Sequence, residues 1–585
     1  MTKLKLTGLL LNNFSGSIPD IFGLMPDLEF LELTSFQGNI PSSIGKLKNL
    51  QILNLKINSL VNSTIPSELG LCTNLTNLSL SGNSLTGSLP LSFTKLTNLS
   101  FLSIHDSSLS GQILPYFLTN WTHLTILMIE NNYFTGEIPS EIGLLTNLNY
   151  LYLTGNRFSG YIPHGIGSLQ NLEEVDLSAN LFSGEIPPTF RNLTKLVSLN
   201  VSFNHLTGMI SLGDLKSIAF LDLSRNQLSG QVHKTISKLS ENLVYLNLRQ
   251  NHFHGSIPEI FTKGCRLLIL DLNGNQLNGT LPRTLVNCRK LEALDIGSNG
   301  INGPFPFWMG TLPNLRVLVL KSNRFHDIIP ISKVKHPFSK LRIFDMSHNE
   351  FTGVLPFEFL DNFKAMMNVR DNESEIVLSD RSTVLLKGCE YELRSIRRAY
   401  ASIDLSNNKF QGDIPSSLEK ITGLHALNLA YNSFTGHIPS IENLTSLESL
   451  DLRSNQLVGE IPWQLTKLTF LSFLNISHNH FVGPIPQQGQ LLTFDNSSYI
   501  GNPELCGLPL TKVCGNDEPK LQLPVSMTQK DDDFNILDGL TWQAVVMGYG
   551  CGMLFGLVAG YFILKYEKPR WLIGFVYRVY KIKRR

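Results

Sequence analysis

The chain has 585 residues, of which 42% are hydrophobic and only 16% are charged, against about 25% charged residues in ordinary soluble domains. Its 45 Gly and 28 Pro residues indicate many turns, which excludes a bundle of long helices. The net charge of +1 is segregated, because residues 565–585 carry eight Lys or Arg and one Glu; the remainder is acidic, which excludes a nucleic-acid-binding body.

A leucine-rich repeat with a period of about 24 residues begins at the N-terminus. Its pattern, L-x-x-L-x-L-x-x-N-x-L/F-x-G-x-I-P, is complete in the unit that runs from Leu172 through Asn180 and Gly184 to Pro187. Nineteen units can be placed, and seventeen of them carry the ladder Asn. Units of this kind stack so that their L-x-L segments form a parallel sheet over a shared core. The sequence predicts a leucine-rich-repeat solenoid of α/β type with this sheet on its concave face.

Two units depart from the pattern. Ser107 stands where the ladder Asn is expected, and the unit around Leu33 is two residues short. An Asn side chain satisfies buried turn backbone with both its donors and its acceptor, whereas Ser does so only in part. We therefore expect the unit of Ser107 to be locally weaker.

The repeat register is lost between Pro356 and Ile403, and four regular units follow. An irregular insertion beside a rigid sheet can present side chains that the repeat cannot. We therefore select Lys387, Glu390 and Tyr391 in this insertion as candidate ligand contacts, with a disordered spacer as the alternative.

Residues 544–564 are uncharged and mostly apolar, and as a helix they would be about 31 Å long, which spans a bilayer core. Acidic residues, among them Asp531–Asp533, precede this segment and the basic tail follows it, so the positive-inside rule places the C-terminus in the cytosol. Glycines recur every four residues along the predicted helix and form a small-residue stripe that favours helix docking in lipid: Gly548, Gly552, Gly556 and Gly560.

The G-x-I-P ending, the insertion followed by four repeats, the Glu504–Pro509 segment and the Thr541–Gly552 run together resemble plant leucine-rich-repeat receptor-like proteins, the kinase-less fungal-resistance receptors. The resemblance implies seven segments: repeats (1–356), an island insertion (357–399), four repeats (400–486), a C-terminal cap (487–515), an acidic juxtamembrane stretch (516–543), a transmembrane helix (544–564) and a basic cytoplasmic tail (565–585). It also implies an N-terminal cap and a secretory signal, and we expect both to be missing here, because the chain opens directly in a repeat.

The cysteines and sequons fit an extracellular compartment. We expect Cys506 and Cys514 to pair in the cap. Cys72, Cys265 and Cys288 are interpreted as small buried core residues, with a bridge between Cys265 and Cys288 as the open alternative. Thirteen Asn-x-Ser/Thr sequons predict a glycosylated surface: Asn13, Asn62, Asn74, Asn77, Asn98, Asn120, Asn192, Asn200, Asn278, Asn372, Asn443, Asn475 and Asn496.

No catalytic, metal-binding or cofactor motif is found: there is no HExxH, no paired CxxC and no GxxxxGK[S/T]. We therefore predict a protein that is not an enzyme. The favoured function is a single-pass type I receptor of the plasma membrane that senses an extracellular protein or peptide of pathogen origin. The alternatives are a developmental receptor for an endogenous peptide, a structural or inhibitory binding module, and a truncated non-functional product.

Signalling partners follow from the resemblance, because the segment after the predicted helix, 565–585, is too short for a kinase domain. The resemblance implies a short leucine-rich-repeat receptor kinase that docks through the transmembrane helix, and a co-receptor kinase that meets the island and the last four repeats. Strand residues between the core leucines face the concave surface, so seven of them are further candidate ligand contacts: Tyr150, Tyr152, Glu174, Tyr245, Asn247, Arg249 and Lys321.

Overall fold

A computed structural model of the chain describes residues 6–9, 16–213, 215–232, 242–330, 337–367, 382–386, 389–393 and 400–515. The segment Met1–Cys514 is one compact unit. The predicted transmembrane helix at 544–564, with its glycine stripe, lies outside the described residues. Within the described ranges, no helix has the length and apolar character needed to cross a bilayer.

The L-x-L segments form a parallel sheet of nineteen strands, the long sheet, in which each strand pairs with those of the units before and after it. The predicted parallel sheet is therefore confirmed. Its strands are Leu6–Leu9, Phe30–Leu33, Ile52–Asn54, Asn77–Ser79, Phe101–Ser103, Ile126–Met128, Tyr150–Tyr152, Glu174–Asp176, Ser198–Asn200, Phe220–Asp222, Tyr245–Asn247, Ile269–Asp271, Ala293–Asp295, Val317–Val319, Ile343–Asp345, Ser402–Asp404, Ala426–Asn428, Ser449–Asp451 and Phe473–Asn475.

A second parallel sheet of fifteen strands, which the sequence analysis did not predict, runs through the residues that follow the ladder Asn. Its strands are Val61–Thr64, Ser84–Gly87, Ser108–Gly111, Tyr133–Gly136, Arg157–Tyr161, Leu181–Gly184, His205–Met209, Gln227–Gln231, His252–Ser256, Gln276–Gly279, Gly300–Pro304, Arg324–Ile328, Glu350–Val354, Lys409–Asp413 and Ser433–Thr435. Three further parallel strands, Val458–Glu460, His480–Pro484 and Glu504–Cys506, pair at the C-terminal end.

The geometry of the second sheet explains why the G-x-I-P motif begins with glycine. Gly184 has a φ of +73°, and a Cβ built on it would collide with the ring of Tyr161, which lies across it from the preceding unit. Glycine is therefore required both by the left-handed backbone and by the side chain of the preceding unit.

The segments opposite the long sheet are mostly 3₁₀ helices, and the described α-helices are short. The α-helices are Pro115–Asn120, Phe357–Leu360 and Lys364–Met367. The 3₁₀ helices are Phe22–Leu24, Ser42–Lys46, Ser67–Leu71, Leu91–Lys95, Ser140–Leu144, His164–Ser168, Pro188–Asn192, Arg283–Asn287, Phe307–Thr311, Ser416–Lys420, Trp463–Lys467, Gly489–Thr493 and Asn496–Ser498.

The ladder asparagines bind neighbouring units together beside a continuous apolar core that extends from Ile18 to Leu505. Asn180 is typical: its amide nitrogen donates to the carbonyls of Leu153 (3.0 Å), Leu177 (3.2 Å) and Ser178 (3.0 Å). Its side-chain oxygen accepts the backbone N–H of Phe158 at 3.0 Å. Ser107 replaces this set with one 3.4 Å contact from its hydroxyl to the carbonyl of Asn83.

The island insertion leaves both sheets uninterrupted. Strand Ile343–Asp345 pairs directly with Ser402–Asp404, and Asn408 donates across the insertion to the carbonyl of Met346 (3.0 Å). Residues 357–367 pack into the stack, where Phe359, Phe363 and Met366 are buried. Beyond them, an antiparallel hairpin joins Ser382–Leu386 to Cys389–Leu393.

Two disulfides are present in the described part of the chain. One joins Cys506 and Cys514 in the cap. The other joins Cys265 and Cys288, so our preferred interpretation of these two as unpaired core residues was wrong and the alternative is correct. Stacking brings their Cα atoms to 4.8 Å across adjacent units, within the range that a disulfide needs. Cys72 is buried and free, as expected.

Candidate ligand-binding face

The strands of the long sheet turn alternate side chains towards and away from the core. In strand Tyr150–Tyr152 the central Leu151 is fully buried, whereas the tyrosines on either side are partly exposed. This alternation follows from the period of two of an extended chain. The residues flanking each central leucine therefore form a continuous outer face, and the candidate contacts Tyr150, Tyr152 and Glu174 lie together on two neighbouring strands of it.

These three residues belong to a group that we call the acid–tyrosine patch, made of Glu130, Tyr150, Tyr152, Glu173 and Glu174. The two tyrosine rings stack with their centroids 6.4 Å apart. The Tyr150 hydroxyl donates to Glu173 Oε2 at 3.2 Å, and the Tyr152 hydroxyl donates to Glu174 Oε2 at 2.5 Å. The carboxylates thus hold both rings in place, and the patch offers two aromatic faces beside three acidic side chains.

The electrostatics of the patch are those of an uncompensated acidic surface. Burial raises the pKa of Glu130, and the nearby His105 opposes that rise only in part. Burial and the adjoining Glu174 carboxylate raise the pKa of Tyr152, so its hydroxyl stays protonated and keeps donating at physiological pH. Burial also raises the pKa of the neighbouring Asp176.

Sequence reasoning missed Glu130 and Glu173, because they lie outside the three-residue strands. A charge count along the chain points to them. Residues 96–190 contain eight Asp or Glu and a single Lys or Arg, which is Arg157.

The recurrent Asp at the third strand position has a structural role. In the unit of Asp176, one carboxylate oxygen accepts both the backbone N–H (2.9 Å) and the hydroxyl (2.6 Å) of Ser178. Asp345 and Asp404 make the same turn with the backbone N–H two residues later. These contacts close the bend after the strand, which agrees with the regular recurrence of Asp in the repeat.

The candidates Tyr245 and Asn247 lie on one strand, three strands beyond Glu174, and Arg249 follows that strand; all three are buried. Tyr245 and Asn247 both donate to Asp222 Oδ2, at 3.2 and 3.1 Å. An Arg249 nitrogen lies 3.7 Å from Asp295 Oδ2. These three residues are buried and contact acidic side chains of other units, whereas the tyrosines of the acid–tyrosine patch are partly exposed.

The next part of the outer face is apolar. Ala293, Val317, Val319 and Ile343 form a buried cluster separate from the main core, and Tyr400 packs against it. The candidate Lys321 follows strand Val317–Val319 and is partly exposed.

Two carboxylates stand side by side at the end of this apolar region, because Asp345 and Asp404 are paired in the sheet register. Burial, and then the neighbouring Asp404 carboxylate, raise the pKa of Asp345 to about 7.

The island candidates are placed only in part. Glu390 and Tyr391 lie in the hairpin strand Cys389–Leu393, opposite Leu385 and Val384. Lys387 lies outside the described residues. The hairpin therefore gives backbone positions for two of the three candidates, and their role in binding stays a prediction.

The sequons fall on different surfaces of the solenoid. Asn200 and Asn475 lie on the long sheet, where their side-chain oxygens accept the backbone N–H groups of Ser202 and Ser477 (both 3.1 Å). Six others are exposed or partly exposed away from that sheet: Asn98, Asn120, Asn192, Asn278, Asn443 and Asn496. Asn74 is exposed and Asn77 lies at a strand start, whereas the side chains of Asn13, Asn62 and Asn372 are outside the described part.

One family model of the leucine-rich repeat matches residues 122–182 and 241–301. A second leucine-rich-repeat model matches residues 74–96, 340–362, 401–421 and 446–468. Receptor-like protein 34 of Arabidopsis thaliana is 37% identical over 357 residues, covering 59% of this chain and 36% of the relative. Receptor-like protein 9DC3 of Solanum pimpinellifolium is 42% identical over 244 residues, covering 40% and 28%. The chain thus spans about a third of the length of the curated relatives it matches.

Solved structures of similar fold include receptors. The Arabidopsis receptor kinase HAESA, in complex with the peptide hormone IDA and the co-receptor SERK1, has a TM-score of 0.67 and 31% identity, covering 85% of this chain and 81% of that one. A TDR receptor has a TM-score of 0.63 and 27% identity, covering 88% and 94%.

Proposed function

Because the chain belongs to the leucine-rich-repeat receptor-like proteins of plants, we propose that it is a cell-surface receptor that binds an extracellular protein or peptide on the outer face of the long sheet. The observation that carries this proposal is the outer face itself, which is nineteen strands wide. The structurally similar HAESA ectodomain, which is solved with a peptide hormone, supports a peptide ligand.

We propose that this receptor activates defence against a pathogen. It rests on the resemblance of the repeats, island and Thr541–Gly552 run to fungal-resistance receptors. The matched relatives include a Cf-9 homolog of Solanum lycopersicum, 42% identical over 244 residues, which supports the same class.

The deciding experiment is a gain-of-response assay. The chain is displayed on leaf cells that do not otherwise respond, and the cells are treated with apoplastic fluid from infected or healthy tissue while the oxidative burst is recorded. A burst with infected fluid alone supports a defence receptor, and an equal burst with healthy fluid supports the developmental alternative. Surface display with no response to either fluid would contradict a receptor function.

We further propose that signalling requires partner kinases, one docked through the glycine stripe and a co-receptor at the island and last four repeats. Small-residue stripes allow close helix contact in lipid. Replacing Gly552 and Gly556 by Leu adds bulk at that contact without lowering hydrophobicity. Co-purification of a short leucine-rich-repeat receptor kinase should fall while surface level is unchanged; undiminished co-purification would reject the stripe as the contact.

A further inference from the structure

One stretch of the solenoid is strongly acidic. Among residues 96–190 the acidic side chains outnumber the basic ones by eight to one. The single Arg157 lies over the ring of Tyr133, with 4.9 Å from its guanidinium carbon to the ring centroid. Three of the acids, Glu130, Glu173 and Glu174, belong to the acid–tyrosine patch.

These three carboxylates make no ion pair with any residue that the structure describes. The Oε2 atom of Glu130 is enclosed by protein and has no hydrogen-bond donor among the described residues. A carboxylate oxygen removed from water without a donor is unfavourable. The Glu130 side chain as a whole is partly exposed, so a ligand cation can approach its carboxylate and offset that penalty. A cationic partner would therefore stabilise the acidic side chains of the patch.

The tyrosines of the patch indicate which kind of cation the partner carries. A guanidinium or ammonium group is attracted to an aromatic face as well as to a carboxylate. The described residues contain five contacts of a cation with an aromatic face, among them Arg157 over Tyr133 and Arg453 over Tyr431 (5.3 Å). In the patch, Tyr150 and Tyr152 are partly exposed and their hydroxyls are already fixed by Glu173 and Glu174. Both rings therefore have fixed orientations, and their partly exposed surfaces can accept a cation.

A bare metal ion fits less well than a basic side chain. Within the described ranges there is no group of three or more His, Cys, Asp or Glu residues placed to hold a metal. The carboxylates of the patch instead belong to two units that are not adjacent, those of strands Ile126–Met128 and Glu174–Asp176, with the tyrosine strand Tyr150–Tyr152 between them.

The spacing of the patch suits an extended peptide. Neighbouring strands lie about 4.8 Å apart, so three strands span about 10 Å, which an extended chain covers in about three residues. Two basic side chains within such a stretch reach both ends of the patch.

We propose that the acid–tyrosine patch binds an extended segment of the ligand that carries two Arg or Lys side chains within about three residues. This inference rests on the proposed receptor function and specifies the ligand that the function leaves open. Glu130 takes one cation, and Glu173 and Glu174 take the other beside the tyrosine rings.

The test measures binding of a fluorescent probe peptide, Gly-Arg-Gly-Arg-Gly, to the purified full chain in detergent. The same peptide with citrulline in place of Arg is the neutral probe of equal shape. The patch variant combines Glu130→Gln, Glu173→Gln and Glu174→Gln, which removes three charges without changing side-chain size.

The matched control removes the same number of charges from the same region at Glu137, Glu141 and Glu185, each replaced by Gln. Glu141 lies in a 3₁₀ helix opposite the long sheet, and the other two follow strands of the second sheet. Both variants have the same net charge, so any difference between them comes from the patch alone.

We expect the patch variant to weaken binding of the Arg probe at least tenfold and the control variant less than twofold, with the citrulline probe binding at least tenfold more weakly to the unchanged chain. Equal weakening by the two variants, or equal binding of the two probes, would overturn the proposal. A response to apoplastic fluid that survives in the patch variant would reject this ligand chemistry and leave the receptor function standing. Loss of response to every fluid in the unchanged chain would instead reject the receptor function.

Discussion

The Asn ladder offers a sharp test of how the repeats hold together, and Asn180→Ser is the clearest perturbation. The amide of Asn180 donates to three carbonyls, and its oxygen accepts the Phe158 N–H. Serine is too short to replace this set and provides at most one donor. The substitution copies what the chain already contains at position 107.

The magnitude follows from these contacts. Leaving the buried Phe158 N–H without an acceptor costs about 1–3 kcal/mol, and each lost donor contact costs about 0.5–1.5 kcal/mol. Because the shared carbonyls keep other partners, we expect a local destabilisation of about 2–4 kcal/mol. At about 1.4 kcal/mol for each factor of ten, the low end corresponds to about 30-fold faster opening.

Hydrogen exchange read by mass spectrometry is the suitable assay, because long repeat arrays do not unfold in a single two-state step. The amide of Phe158 should exchange about 30-fold faster or more, while distant units keep their rates. Asn171→Ser is the control, since the Asn171 side chain makes only exposed hydrogen bonds: it donates to the carbonyl of Thr146 (3.0 Å) and accepts from Lys195 Nζ (2.9 Å). An effect of Asn180→Ser no larger than that of the control would refute the reasoning.

The repeat geometry makes three other positions testable. Ser107→Asn should restore the missing ladder bonds and slow amide exchange in its own and the preceding unit by about tenfold, equivalent to about 1.4 kcal/mol; unchanged exchange would show that the position is not weak. Gly184→Ala should destabilise its unit by about 1–2 kcal/mol because of its positive φ, whereas Gly264→Ala should be neutral by the same measurement, because Gly264 has no positive φ and a Cβ there would meet only Thr262 Oγ1, at 3.8 Å. In glycopeptide mass spectrometry of secreted protein, the exposed Asn443 should carry a glycan and Asn200, held in the long sheet, should not; a glycan at Asn200 would contradict its placement.

Much of the fold could be predicted from the sequence because the repeat states it many times. The L-x-L segment and the ladder Asn recur from unit to unit, and each recurrence specifies a strand and a bend that stacking then aligns. The fold class, the parallel sheet and the break in the Asn ladder at Ser107 all follow from this local pattern. The charge excess of residues 96–190 is equally visible in the sequence, although we found its significance only after the sheet was known.

The tertiary structure decided the features that depend on distances between units. The Cys265–Cys288 bridge required knowing that stacking brings two Cα atoms to 4.8 Å, which spacing along the chain does not specify. The second sheet forms because the segments after the ladder Asn align with one another once the first sheet has set their register. Likewise, only the stack shows that the Tyr152 hydroxyl reaches Glu174 of the next unit. A repeat therefore determines what each unit becomes, whereas contacts between side chains of successive units are fixed only when the units pack together.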